Sequence, residues 1–301
     1  MPCFNPLQAY RFKYKSGKFS APFFAIPPDF NHVAGTLERL ALPCGQCIGC
    51  RLERSREWAV RCVYEASLYK DNCFITLTYA PEHLPKDMSL KKKDWQDFMK
   101  RLRKHYSGKK IRFFACGEYG ERTFRPHYHA ILFNHDFDDV AEVTKMTEYG
   151  LSKYKHSPTL EKVWGKGLCS VGEMTFESAA YCARYCLKKI NGADAEWHYF
   201  GREPEFALMS RMPGLAANWW SKFKSDVVSM DCTFSRGVKA PVPRYFDKLL
   251  EKVDKALFEV VKSNRLGKCS EQYDFAFDSW KRLKSREEVK KYNQNRCARG
   301  L

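Results

Sequence analysis

Apolar positions along residues 51–69 recur at helical spacing, at Leu52, Ala59, Cys62, Val63 and Ala66, with Arg51, Arg54, Arg56 and Arg61 among them, which predicts a basic amphipathic helix. Cys73-Phe74-Ile75-Thr76-Leu77-Thr78-Tyr79 is β-branched and aromatic and is stopped by Ala80-Pro81, so it reads as a central strand. A second helix is expected from Ser89 to Tyr106. Its stripe is Trp95, Phe98, Met99, Leu102 and Tyr106, and lysines and arginines cover the rest, either as a solvated face or as a phosphate-contacting one. Ile111–Tyr119 and Pro126–Phe133 read as two strands joined by a turn at Gly120–Phe124, a hairpin. A polar stretch at 134–157, a short helix near Trp164, a strand near Leu168–Val171 and a helix from Phe176 to Ile190 follow, the last stopped by Asn191-Gly192.

The flanks carry less pattern. Residues 1–50 lack a sustained period and read as a loop-rich lead-in, and 193–243 as irregular apart from a short helix around Asn218–Phe223. Beyond Pro241-Val242-Pro243, the positions Phe246, Leu249, Leu250, Val253, Leu257, Val260 and Val261 outline one helix, with another over 271–292. The organisation expected is a Cys-containing lead-in (1–50), a central domain (51–240) and a helical C-terminal appendage (241–301).

Charge narrows the class of partner. Lysine and arginine outnumber acidic residues 52 to 35 in 301 residues, a net +17 that fits a polyanion far better than a small neutral metabolite. An anionic membrane is disfavoured because no apolar run reaches the ~18 residues needed to span one, and Met1-Pro2-Cys3-Phe4 lacks a signal-peptide layout, so a cytoplasmic location is expected. Thirteen cysteines, an odd number spread over a long chain, suit reduced thiols or metal ligands, and no structural disulfide is expected.

Three constellations carry chemistry. In Arg125-Pro126-His127-Tyr128-His129, strand alternation sends both imidazoles to one face, a two-histidine claw on a rigid strand. Glu118 and Glu121 lie across the turn, and Glu118, at the strand end, is favoured as a third ligand. Two histidines, a carboxylate and open positions suit Mg²⁺ or Mn²⁺ in phosphate chemistry, though zinc would also bind them. On the 176–190 helix, Tyr181, Arg184, Tyr185 and Lys188 form one stripe, and Ala179, Cys182, Ala183, Cys186 and Ile190 a roughly opposite one suited to packing on a sheet. The tyrosines then become candidate nucleophiles, with nearby cations needed because a phenol has a pKa near ~10. Cys44, Cys47 and Cys50 have knuckle-like spacing, and a structural zinc completed by Cys3 or His32 is the better metal hypothesis, against three free thiols in a turn.

These residues resemble the HUH endonucleases that initiate rolling-circle replication, specifically the initiators of gokushovirus-type microviruses. Phe74–Tyr79 is similar to the first family motif, Arg125–His129 to the metal-binding second, and Tyr181-Cys182-Ala183-Arg184-Tyr185-Cys186-Leu187-Lys188-Lys189 to the two-tyrosine third; Pro43–Arg51 and Glu205–Gly214 resemble the gokushovirus branch. Arg184 departs from the lysine that related phage initiators often place between the tyrosines. Arginine donates a proton less readily, so Lys188 becomes the better candidate acid.

The resemblance implies an α+β fold, a central antiparallel sheet with flanking helices, with 51–240 as the HUH endonuclease domain. It implies that Tyr181 or Tyr185 attacks a scissile phosphate at the phage origin, leaving a 5′-phosphotyrosyl link and a 3′-hydroxyl for host replication machinery in the bacterial cytoplasm. His127, His129 and Glu118 would hold the cation. The second tyrosine would cleave the regenerated origin and let the circle close. Three alternatives stand beside this reading: a two-tyrosine transposase or plasmid initiator, a non-enzymatic zinc-containing DNA-binding protein, and a metal hydrolase that uses water.

Overall fold

In the computed structural model, residues 3–17, 20–26, 35–120, 123–147, 150–185, 194–271 and 279–298 are described. The elements in chain order are β1 (Leu7–Tyr14), β2 (Gly35–Leu42), α1 (Ile48–Ala66), β3 (Asn72–Thr78), α2 (Lys92–His105), β4 (Arg112–Tyr119), β5 (Pro126–Phe133), β6 (Ala141–Thr147), β7 (Gly150–His156), α3 (Pro158–Trp164), β8 (Cys169–Glu173), α4 (Phe176–Tyr185), α5 (Asp194–Tyr199), β9 (Phe206–Met209), α6 (Ala217–Met230), β10 (Thr233–Ser235), β11 (Val238–Ala240), α7 (Arg244–Val253), α8 (Lys255–Glu271) and α9 (Trp280–Ala298). The chain divides into two compact units, residues 55–265 and residues 1–54 with 266–301.

The larger unit is built on a seven-stranded antiparallel sheet in the order β6-β7-β8-β3-β5-β4-β9, as the α+β expectation requires. Period-two alternation divides the side chains of its central strands between two cores. Tyr128, Ala130 and Leu132 of β5 join Ile75, Leu77, Trp95, Phe98, Leu102, Leu160 and Trp164 on the face covered by α2 and α3. Ile131 and Phe133 join Phe114, Cys116, Ala59, Cys62, Ala179, Cys182 and Ala183 on the face covered by α1 and α4. Burying each large apolar side chain contributes roughly 1.5–3 kcal/mol, so both faces of β5 are firmly held. The small residues of α4 let its backbone approach β4 and β5 closely, and that approach brings Tyr181 to the sheet.

A buried ion pair ties α1 to the sheet. Arg112 Nε lies 2.5 Å from Glu65 Oε1, and Glu65 Oε2 accepts from the Ala216 backbone N–H at 2.6 Å. Arg112 also donates to the Pro213 carbonyl, and Arg61 donates to that of Leu215, so the 213–216 loop is anchored by two arginines.

Elsewhere the structure departs from the pattern. The lead-in contains the hairpin β1–β2, paired from Leu7↔Leu42 to Tyr14↔Gly35. It is mostly exposed, with Ala9 and Phe12 its buried residues, so it never needed an apolar face. The polar 134–157 stretch holds β6 and β7, and β7 meets β8 through Lys155↔Val171 at the end of the sheet order, where polar residues are tolerated. Residues 193–243 hold α5, a longer helix than expected in α6, the small hairpin β10–β11 and the edge strand β9, too short at four residues to show a period. The single helix expected after Pro243 is two. Asp254 is extended at φ −147°, ψ 92°, and its carboxylate accepts from the Leu257 N–H at 2.9 Å, capping α8. Among the described residues no helix is long and apolar enough to cross a membrane.

Candidate active site

Strand register assembles the claw. In the β4–β5 pairing Glu118 stands opposite His127 and Cys116 opposite His129, so Glu118 is the direct cross-strand neighbour of one imidazole and the diagonal neighbour of the other. One ligand atom from each of Glu118, His127 and His129 lies within 4.8 Å of the others. Glu118 Oε1 is 2.6 Å from His127 Nε2 and 3.1 Å from His129 Nε2. Glu118 and His129 are buried, and His127 is 18% exposed, which leaves the cluster open on its side. Glu121 and Lys188 lie outside the described residues.

The outer hydrogen bonds decide which ring nitrogens are available. His127 Nδ1 is 3.1 Å from the Arg125 carbonyl oxygen, which only accepts, so Nδ1 carries the proton and Nε2 keeps its lone pair. His129 Nδ1 lies 2.9 Å from Thr76 Oγ1, and donation there likewise frees Nε2. Two lone pairs and a carboxylate oxygen then converge. Such a group is tenable around a proton or a metal cation. Burial raises the Glu118 pKa, but with a proton shared in the cluster, hydrogen bonds and charge from His127 and His129 outweigh it and hold the carboxyl below its usual value. Glu118 Oε2 is buried without a hydrogen-bond partner, an orphan that a cation would satisfy. The donor set fits a divalent metal.

Tyr181 completes the neighbourhood. Its half-buried ring meets His129 edge-on, centroids 5.1 Å apart at 88°, and Phe74 at 6.2 Å and 84°, while Phe74 stacks on His129 at 5.7 Å, so the three rings form a triangle. The tyrosine stripe is therefore not wholly turned from the core. One hundred degrees of helical rotation from Cys182 brings Tyr181 over the claw. Tyr185 ends the described helix, and its side chain lies outside the described residues. Sequence reasoning gave Thr76 no role. The signal was available in the strand pairing, because Thr76 stands directly opposite His129 on β3.

In the smaller unit, the sulfurs of Cys3, Cys44, Cys47 and Cys50 all lie within 4.8 Å of one another, which brings Cys3 to the knuckle; His32 lies outside the described residues. Cys3 Sγ and Cys47 Sγ are 3.8 Å apart, matching the ~3.8 Å edge of a tetrahedron with ~2.3 Å zinc–sulfur bonds. Backbone N–H groups of Phe4 and Cys50 donate to Cys47 Sγ at 3.3 and 3.5 Å, that of Cys44 to Cys3 Sγ at 3.2 Å, and that of Cys47 to Cys44 Sγ at 3.2 Å. Burial resists ionisation of Cys47, but these donors bring it down to about 7. Burial and the neighbouring sulfurs push Cys50 up to about 12, and burial raises Cys3. One thiolate is favoured; several together need a cation. No described cysteine is in a disulfide.

The family model for replication-associated protein ORF2/G2P matches residues 72–190, the segment from β3 past the described end of α4 that carries the claw and Tyr181. The replication-associated protein ORF2 of Spiroplasma virus 4 is 32% identical over 285 residues, covering 88% of this chain and 86% of the relative. The replication-associated protein VP4 of Bdellovibrio phage phiMH2K is 32% identical over 231 residues, 73% of this chain and 70% of the relative, and ORF4 of Chlamydia phage 1 is 30% identical over 246 residues, 76% and 60%. No solved structure matches. With identity maintained over most of the chain, and with the family model covering the strand, claw and tyrosine segments in their expected order, the chain belongs to the family of microvirus-type rolling-circle replication initiators.

Proposed function

We propose that this protein nicks and rejoins phage origin DNA by tyrosine transesterification. The observation that carries the proposal is the Tyr181 ring set edge-on against His129 at the rim of the Glu118–His127–His129 cluster. His127, His129 and Glu118 would hold Mg²⁺ or Mn²⁺, which when bound polarises the scissile phosphate and offsets charge developing on it. Arg125 and Thr76 hold the two imidazoles in the tautomer that presents Nε2.

Tyr181 attacks the phosphorus of a single-stranded scissile linkage. The Tyr181 Oη–P bond forms, the P–O3′ bond breaks, the phenolic proton passes to solvent, and the departing 3′ oxygen takes a proton, with Lys188 as its donor. The products are a 5′-phosphotyrosyl link and a 3′-hydroxyl from which host polymerase extends. Tyr185, one helical turn on, cleaves the regenerated origin, and the released 3′-hydroxyl attacks the first phosphotyrosine to close the circle. This work takes place in the cytoplasm of the bacterial host. The four cysteines hold a structural Zn²⁺ in the smaller unit.

The test is incubation of labelled single-stranded origin DNA with the protein and Mn²⁺, resolved on a denaturing gel. A covalent adduct that persists in one single tyrosine variant and is lost in Tyr181→Phe/Tyr185→Phe supports the reading. An undiminished adduct in the double variant overturns it.

A further inference from the structure

The tip of the claw hairpin carries a ring that packing does not explain. Phe124 closes the loop between β4 and β5, where its N–H donates to the Gly120 carbonyl at 2.9 Å and the Gly120 N–H donates to that of Arg125 at 3.0 Å. Its φ is 51°, in the left-handed region that hairpin loops usually fill with glycine or asparagine, and a bulky residue there is an outlier. Burial does not compensate, since Phe124 remains 50% exposed. Strain kept without burial is characteristic of functional positions.

The ring is accompanied by a cation. Arg202 Cζ lies 5.6 Å from the Phe124 ring centroid and 5.0 Å from that of Tyr119, at the end of β4. Arg202 Nε donates to the Tyr199 carbonyl at 3.0 Å, which fixes the guanidinium. The neighbouring acids are engaged elsewhere: Glu203 pairs with Lys92 at 3.2 Å, and buried Glu205 accepts from the Tyr199 hydroxyl. The segment that delivers Arg202 also carries Trp197 and Phe200, which at 77% and 75% are, with Phe124, the most exposed aromatic rings described in the larger unit. Exposed rings beside an arginine suit nucleobases, whose π-faces stack on aromatic side chains while the cation offsets phosphate charge.

These side chains adjoin the claw. Phe124 precedes Arg125, whose carbonyl lies 3.1 Å from His127 Nδ1. Three residues of chain, at most about 10–11 Å, separate Phe124 from His127, the length of about three stacked nucleotides at ~3.4 Å each. Tyr119 packs in the core under α2, so Arg202 meets the hairpin tip from the face opposite the imidazoles, and a strand lying in the claw passes over the tip to reach it.

We propose that Phe124 and Arg202 form a stacking site for a nucleobase of the single strand beside the scissile linkage. The site anchors the strand without reading its sequence, because every base offers a π-face. The inference rests on the reading of the protein as an enzyme of single-stranded DNA, but not on which group attacks the phosphorus.

The experiment measures anisotropy of two labelled strands of equal length with the full-length protein across a salt series. One is an oligothymidylate, the other an abasic strand that keeps the phosphates and lacks every base. Phe124→Gly is expected to weaken oligothymidylate binding at least about fivefold, to change abasic-strand binding less than about twofold, and to leave the salt slope as it is. Glycine suits the left-handed backbone, so this variant should melt no lower than wild type, which separates lost stacking from misfolding. Phe124→Trp keeps a stacking face and should retain binding, and Phe124→Asn should behave as the glycine variant. Arg202→Gln should weaken both strands and lower the slope of log K against log salt by about 0.7. Full oligothymidylate affinity in Phe124→Gly overturns the proposal and leaves the ring to a protein partner; equal loss on the two strands, or an unchanged slope in Arg202→Gln, also overturns it. Adduct formation on labelled origin DNA is read in parallel. Its absence in wild type refutes the nicking chemistry, while the comparison of the two strands still judges the stacking site.

Discussion

Replacing Thr76 with valine removes one hydroxyl and keeps a β-branched side chain of nearly the same shape on β3. The hydroxyl is 2.9 Å from His129 Nδ1 in a strand pair where the two residues stand opposite each other. A neutral hydrogen bond of this kind has a net value of about 0.5–1.5 kcal/mol. Loss of an outer partner that orients a metal-ligating histidine typically lowers metal affinity about 10–100-fold, or ~1.4–2.8 kcal/mol. His129 is packed against both Phe74 and Tyr181, which limits ring rotation, so the lower end applies. Thr76→Val should raise the Mn²⁺ dissociation constant about tenfold by calorimetric titration. The adduct rate at saturating Mn²⁺ should change less than twofold, and Thr76→Ser should restore affinity. Equal Mn²⁺ affinity in wild type and Thr76→Val would refute the argument, as would an equal loss in the serine variant, which keeps the hydroxyl.

Three further outcomes are expected. Glu65→Ala leaves the buried Arg112 guanidinium without its carboxylate counter-charge and should lower unfolding free energy by about 3–5 kcal/mol in urea titrations; a change within 1 kcal/mol of zero, itself about the scale of an exposed pair, would show the pair to be dispensable. Burial, with Lys109 adding to it, brings the His135 pKa from 6.5 to about 4, so the unfolded chain binds more protons between those values; the stability present above pH 6.5 is lost as pH falls towards 4, and the melting temperature of His135→Phe should fall less over that window. Purified protein should carry one zinc per chain by elemental analysis in addition to any metal at the claw, and Cys47→Ser should lose it with earlier melting; a fully stable, metal-free Cys47→Ser protein would argue against a structural metal.

Legibility followed burial. The sequence pattern outlines the strand over 72–78 and the hairpin strands at 112–119 and 126–133 because each is sandwiched between two cores and its composition is strongly constrained. Glu118 could be chosen over Glu121 because cross-strand geometry is local to a hairpin. The β1–β2 hairpin was not legible, since strands that bury little carry no apolar alternation. The sequence leaves the partner of the cysteine knuckle open between Cys3 and His32, because the 41 residues from Cys3 to Cys44 have no spacing signature. Thr76 was hidden for another reason. Its neighbour His129 is reached through strand pairing across 53 residues, and a threonine in a strand is ordinary.

Glu118, His127 and His129 sit within twelve consecutive residues on one β-hairpin, whereas Tyr181 arrives from a helix more than fifty residues later. The grip and the blade are thus mounted on separate parts. Zipping one short hairpin forms the grip from local contacts, early and independently of the slower long-range docking of α4. Under the proposed mechanism, a helix that shifts or turns on the sheet would exchange one tyrosine for the next without disturbing what would hold the phosphate, and substitutions along α4 would retune the cutting step while the hairpin stays as it is.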